Sequence, residues 1–218
     1  MIYAAHRPRL FGRADAGPAD AGLCSFAARA VFRCIAALLV VASLVLCGTA
    51  RAQLPPDKQA VILTRAMAYD KDLRARAGST LVIAIVYRPG AADSESTAAD
   101  VLRAFKALEG VKVQDLPISV VKLAYTGKDA LKSAITAQGI DALYCCPSLE
   151  PELGAVREVS HQQHVLTLAS KEAFVQAGLS IGVFPKDGKP TILINLAASR
   201  DEGASFATEL LRLATVLR

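Results

Sequence analysis

Four short segments gather the side chains that could do chemistry: Arg88 with Ser94 and Ser96, Thr126-Gly127-Lys128-Asp129, Cys145-Cys146-Pro147-Ser148, and Ser170-Lys171. Cations beside hydroxyls, at places where helices begin, are suited to holding a small anionic ligand, because the free N–H groups and the positive dipole end of a helix N-terminus add to the charge. In that reading Arg88 and Lys128 are the charged contacts, and Thr126, Ser148 and Ser170 supply hydrogen bonds. The same residues also have a plainer use. Thr126 with Asp129 has capping-box spacing, and Ser148 and Ser170 can cap the helices that follow them. Both readings stand at this stage.

Other chemistry is weaker. His161 and His164 are three residues apart, a spacing that can set two imidazoles on one helix face, yet Gln162 and Gln163 lie between them and no Cys, Asp or Glu stands directly beside them. A solvated helix end is the simpler expectation, and no metal site is predicted. Cys145 at a strand end would be a nucleophile only with a base beside it, and no Cys-x-x-Cys is present. The glycine-rich phosphate loops are missing from the sequence. No cofactor and no catalytic residue is assigned.

The elements that must position these segments follow from periodicity. Pro55 to Ala77 carries Val61, Ile62, Ala66, Met67, Tyr69 and Leu73 at near-helical spacing, and Gly78 ends it. Leu81-Val82-Ile83-Ala84-Ile85-Val86-Tyr87 is an unbroken apolar run between Gly78 and Pro89-Gly90, as expected of a strand buried on both faces. Helices near 96–109, 127–138 and 149–162 then alternate with strands near 118–124, 140–145 and 165–168. Such alternation predicts an α/β fold, a three-layer α/β/α sandwich with a mostly parallel sheet. Ile181 to Phe184 and Thr191 to Ile194 flank an Asp187-Gly188 turn, so a C-terminal antiparallel hairpin is expected at the sheet edge. Ser199 and Glu202 read as a capping box, and Ser205 as the cap of a last helix with Phe206, Leu210, Leu213 and Leu217 on one stripe.

The uncharged run Ile35 to Cys47 follows Arg29 and Arg33 and precedes Ala50-Arg51-Ala52. It has the length and flanks of a signal-peptide core with a small-residue cleavage site, and it is short for a spanning helix. Residues 1–52 are therefore expected to be a leader, with 1–30 attributable to a start-site error, and 53–218 a single exported domain. Six of the 25 basic and two of the 20 acidic residues precede Gln53. The remainder is close to neutral and gives no electrostatic footprint for nucleic acid. Cys145 and Cys146 are adjacent and poorly placed to bridge each other, so two buried thiols are expected.

Ala142-Leu143-Tyr144 with Pro147 and Leu149, Val165-Leu166-Thr167-Leu168 before a short helix and Gly178, and Ile194-Asn195-Leu196-Ala197-Ala198 through Leu210-Leu211-Arg212-Leu213-Ala214 resemble the YfiR-like family of exported bacterial proteins. The resemblance implies a small periplasmic α/β unit that is not an enzyme and that represses a membrane diguanylate cyclase, or a related membrane sensor, by touching its periplasmic part. For cyclase-controlling members it also suggests disulfides between spaced cysteines, a pattern from which the adjacent pair here departs. A second reading is a periplasmic small-molecule binding protein akin to one lobe of a transport substrate-binding protein, with a homodimer as the means of enclosing the ligand.

Overall fold

Leu81–Tyr87 forms the central strand, β1, because its β-branched and aliphatic residues are buried on both faces. It pairs in parallel with β3 (Leu116–Ala124) on one side and β4 (Ala142–Cys145) on the other. In this computed structural model residues 54–108 and 110–218 are described. The expected leader lies outside them. Among the described residues no helix is long and apolar enough to cross a membrane.

The remaining strands are β2 (Lys112–Val113), β5 (Leu166–Ala169), β6 (Ile181–Lys186), β7 (Lys189–Asn195) and β8 (Thr215–Leu217). The sheet order is β2-β3-β1-β4-β5-β6-β7-β8. The run β3-β1-β4-β5-β6 is parallel, and β2 and β7 each run antiparallel to their inner neighbour. Helices α1 (Pro56–Met67) and α3 (Ala92–Lys106) pack on one face over Ile83, Ile85, Tyr144 and Leu168. Helices α4 (Lys128–Gln138), α5 (Leu153–Gln163) and α6 (Glu172–Gln176) pack on the other over Ala84, Val86, Leu143 and Ala169. The α/β/α sandwich with a mostly parallel sheet is therefore observed. Tyr144 ties the first layer to the sheet: its hydroxyl donates to Gln59 Oε1 at 2.7 Å, and Gln59 Nε2 donates to the carbonyl of Val183 at 3.2 Å.

Four local expectations change. The stretch 55–77 is not one helix but two, α1 and α2 (Leu73–Ala77), because Asp70 takes the backbone out of the helix. Its Oδ1 accepts from the N–H groups of Asp72 and Ser205, and its backbone bridges Phe206. The antiparallel hairpin forms, with Asp187 and Gly188 both at positive φ as a two-residue turn requires, but it is not the edge: β8 adds in parallel to β7. Leu217 lies in that strand, while Leu213 is 74% exposed at the end of a short helix, α8 (Thr208–Leu213), whose N-cap is Ala207 and not Ser205. Ser199 sits inside a helix of its own, α7 (Leu196–Asp201), which Asn195 caps by accepting from Ala198 N–H, and Glu202 is fully buried instead of capping anything. Local spacing cannot reveal that partners of a side chain come from residues 22 to 42 positions away.

Candidate functional site

The connection after β1 leads to α3 on one face and the connection after β4 leads to α5 on the other. The loops therefore part between these two strands, the place where ligands collect in open α/β sheets. Arg88 stands on one lip. Its N–H donates to the Oγ of the buried Ser94 in the first turn of α3, at 2.9 Å, which fixes the backbone behind the guanidinium. Its Nη1 donates across to the carbonyl of Ser148 at 3.3 Å. Ser148 stands on the other lip at φ 64°, and its hydroxyl donates to both oxygens of Asp93, at 2.8 and 3.0 Å. That hydrogen bond is the main cause holding the Asp93 carboxyl below the usual range. Arg88, Ser148 and Asp93 thus stitch the two lips together, and Ser148 serves as the stitch rather than as a helix cap.

Thr126 lies after β3, and with Arg88, Pro89, Tyr125, Gly127 and Glu152 it lines an open hollow of about 360 Å³. Burial, then the Glu152 carboxylate beside it, pushes the Tyr125 phenol up. The expected capping box does not form: α4 starts from Gly127 at φ 138°, with no side-chain bond to its first turn. Only glycine takes that backbone angle without strain. Lys128 turns to Glu158 of α5 and pairs with it, which lowers the Glu158 carboxyl. It does not line the hollow. Ser170 is buried, and its hydroxyl has no hydrogen-bond partner among the described residues; Lys171, not Ser170, is the N-cap of α6 and pairs with Glu150. The structure therefore brings Arg88, Thr126 and Ser148 to one mouth and leaves Lys128 on its flank and Ser170 beneath it. Asp93, Tyr125 and Glu152 belong to the mouth although periodicity did not single them out. The one available signal was adjacency, since Asp93 and Tyr125 each neighbour a residue already considered.

The two histidines do not converge. His164 leaves α5 as a left-handed C-cap at φ 53°, while the nearest acid to His161 is Asp201 at 3.9 Å. Among the described residues no three His, Cys, Asp or Glu side chains are grouped to hold a metal. Cys145 and Cys146 are free, buried and on opposite sides of the sheet, because successive strand residues alternate: Cys145 packs with Leu143 and Val156, Cys146 with Ile85 and Tyr144. Burial pushes the Cys146 thiol up to about 12 and Cys145 well above its ordinary value. Burial in this apolar surrounding therefore disfavours the thiolate of both. We expect the folded protein to leave both thiols unreacted with an aromatic disulfide reagent over an hour at pH 8, and both to react once denatured. Rapid modification of the native protein would contradict this burial.

Comparison with known proteins places these features. No curated protein matches the chain significantly in sequence. Among solved structures, a conserved domain protein from Vibrio cholerae superposes with a TM-score of 0.54 at 14% identity, over 75% of this chain and 60% of that one. The ABC domain in complex with L-Trp from Streptococcus pneumonia superposes with a TM-score of 0.51 at 12% identity, over 75% and 62%. The chain spans about three fifths of either protein, and at such identities the likeness concerns the fold. The YfiR/HmsC-like family model matches residues 72–215, from α2 through the first residue of β8, which takes in β1 to β7 and every residue at the mouth. On that match the chain belongs to the YfiR/HmsC-like family.

Proposed function

We propose that this chain is an exported regulatory domain that acts by contact, modulating a membrane sensor or diguanylate cyclase from the periplasmic side. The family match over residues 72–215 carries the reading. In this proposal residues 1–52 are the leader that carries the export signal, and 53–218 the mature domain. The mouth between β1 and β4 is the recognition site in this proposal, with Arg88, Thr126 and Ser148 at its centre, Lys128 on its flank and Ser170 supporting the loop from below. Asp93 and Lys128 are already engaged, with the Ser148 hydroxyl and with Glu158 respectively. Such a surface suits polar recognition of a partner more than proton transfer.

Deleting the gene in its host tests the proposal, with the periplasmic extract, cyclic-di-GMP and biofilm measured together. The expected outcome is recovery of the domain in the periplasm and a change in cyclic-di-GMP that wild-type protein reverses and Arg88→Glu reverses less well. Unchanged cyclic-di-GMP would sink the cyclase reading. The hollow of about 360 Å³ beside Arg88 favours a second reading, a small-molecule site left open because one lobe cannot enclose it. A thermal-shift screen separates the two, since a ligand at about a hundred times its Kd adds about 3 kcal/mol of apparent stability.

A further inference from the structure

Away from the mouth, at the N-terminal ends of β5 and β6, the Glu202 carboxyl is sealed from solvent among Ser160, Thr167 and Ser180, each of them also fully buried. Among the described residues no cation pairs with it. The neighbouring charges are otherwise engaged. Arg76 of α2 spends its charge on Asp70 and reaches only the backbone carbonyl of Glu202, at 3.5 Å. From α5, Arg157 offers its backbone carbonyl to Ser160, His161 faces Asp201, and His164 lies against Gly203. Arg200 and Asp201 belong to α7 itself, and Cys145 of β4 is within electrostatic reach.

Counting hydrogens shows what the pocket is built to hold. Oε2 accepts from the Thr167 N–H at 2.7 Å and from the Ser180 hydroxyl. Thr167 Oγ1 accepts from the Ser180 N–H at 2.8 Å, so its own proton is free to go to Oε1, at 2.7 Å. Ser160 has one proton and two acceptors in reach, the carbonyl of Arg157 at 2.9 Å and Oε1 at 3.0 Å. When Ser160 points to Arg157, its oxygen can accept a proton carried on Oε1; when it turns to Oε1, it serves the ionised carboxylate. Rotating one hydroxyl lets the site hold either protonation state.

We propose that Glu202 is a proton-operated latch: protonated, it holds the segment 196–217 onto the sheet, and ionised, it weakens that hold. Glu202 joins α7 to the stretch that bonds back to Asp70 and Tyr69 through Ser205 and Ala207, and then to α8 and β8. A carboxylate enclosed without a counter-ion is costly, and letting the segment lift toward water relieves the cost. Because β8 covers part of the outer edge of β7, at Leu193 to Asn195, the latch governs whether that edge is available for strand addition. Burial raises the carboxyl to about 7, which puts the transition near neutrality. The inference is independent of the function proposed for the mouth.

The test follows the Glu202 carboxyl carbon by carbon-13 NMR from pH 4.5 to 8.5, alongside amide hydrogen exchange of residues 196–217 corrected for intrinsic rates. A midpoint near neutrality is expected, with the opening equilibrium of the segment rising up to about tenfold per pH unit on the acid side of it and levelling off above it. Glu202→Gln, whose amide fits the same hydroxyl set, should lose that dependence. Ser180→Ala removes a donor to the carboxylate and should move the midpoint upward, so the proposal stays testable even if the glutamine variant fails to fold. A midpoint in the ordinary glutamate range, exchange that ignores pH, or a Ser180→Ala midpoint that stays put or falls would overturn it.

Discussion

Replacing Asp70 by Ala is expected to cost about 3–5 kcal/mol of folding stability, the range found when one partner of a buried ion pair is removed. Asp70 is fully buried, and the Arg76 side chain that pairs with it is only 14% exposed. The carboxylate also accepts from the N–H groups of Asp72 and Ser205, at 3.1 and 2.8 Å, so its loss leaves a largely buried cation without its ion pair and two backbone donors without their acceptor. Those two donors come from residues 72 and 205, on segments that meet only in the folded protein. Urea unfolding of the variant should therefore show a much lower midpoint with little change in slope. Replacing both members by apolar residues, Asp70→Leu with Arg76→Met, should recover a good part of the loss, because no lone charge then remains. A loss below about 1 kcal/mol for Asp70→Ala would mean that water reaches the pair and screens it.

Stability should also decline as the solution is taken from mild acid to neutrality, by about 3 kcal/mol between pH 4.5 and 7. The cause is Glu202, whose carboxyl is raised by burial from 4.5 to about 7 in the folded protein. In that window the folded state keeps a proton that the unfolded chain has released, so each rise in pH favours unfolding. Below the window both states are protonated and the contribution is flat; above it both are ionised and the penalty is constant. Asp141, raised by burial, adds in the same sense. Asp93, Glu150 and Glu158 are shifted down and act oppositely: their contribution is present above the ordinary carboxylate range and fades as pH falls through it. They lie at the surface, where screening keeps such terms small. The stability maximum should accordingly fall near pH 5. Urea midpoints measured from pH 4.5 to 8 check this, and a flat or rising profile would show that Glu202 is ionised without cost.

Much of the architecture was legible because burial on both faces leaves a periodic trace. Leu81–Tyr87 reads as a central strand from its unbroken apolar run, and the alternation that follows it requires crossover helices. Asp187-Gly188 predicted its hairpin because a two-residue turn needs positive φ at both positions. The candidate site was legible in part. Strand ends pointed to the loops carrying Arg88, Thr126 and Ser148, but not to the Asp93 carboxylate that joins them, nor to the ion pair that draws Lys128 aside.

The order of amino acids by itself determined the type of most elements, the layered α/β/α plan and the burial of both cysteines, since these rest on patterns within a dozen neighbouring residues. Tertiary structure alone decided the rest: the break at Asp70, the parallel strand at Thr215–Leu217, and the conversion of Glu202 from an apparent capping residue into a sealed carboxyl. The reason is common to all three. Each side chain or strand finds partners far away in the chain, and a polar group shut away from water must follow its partners rather than its neighbours.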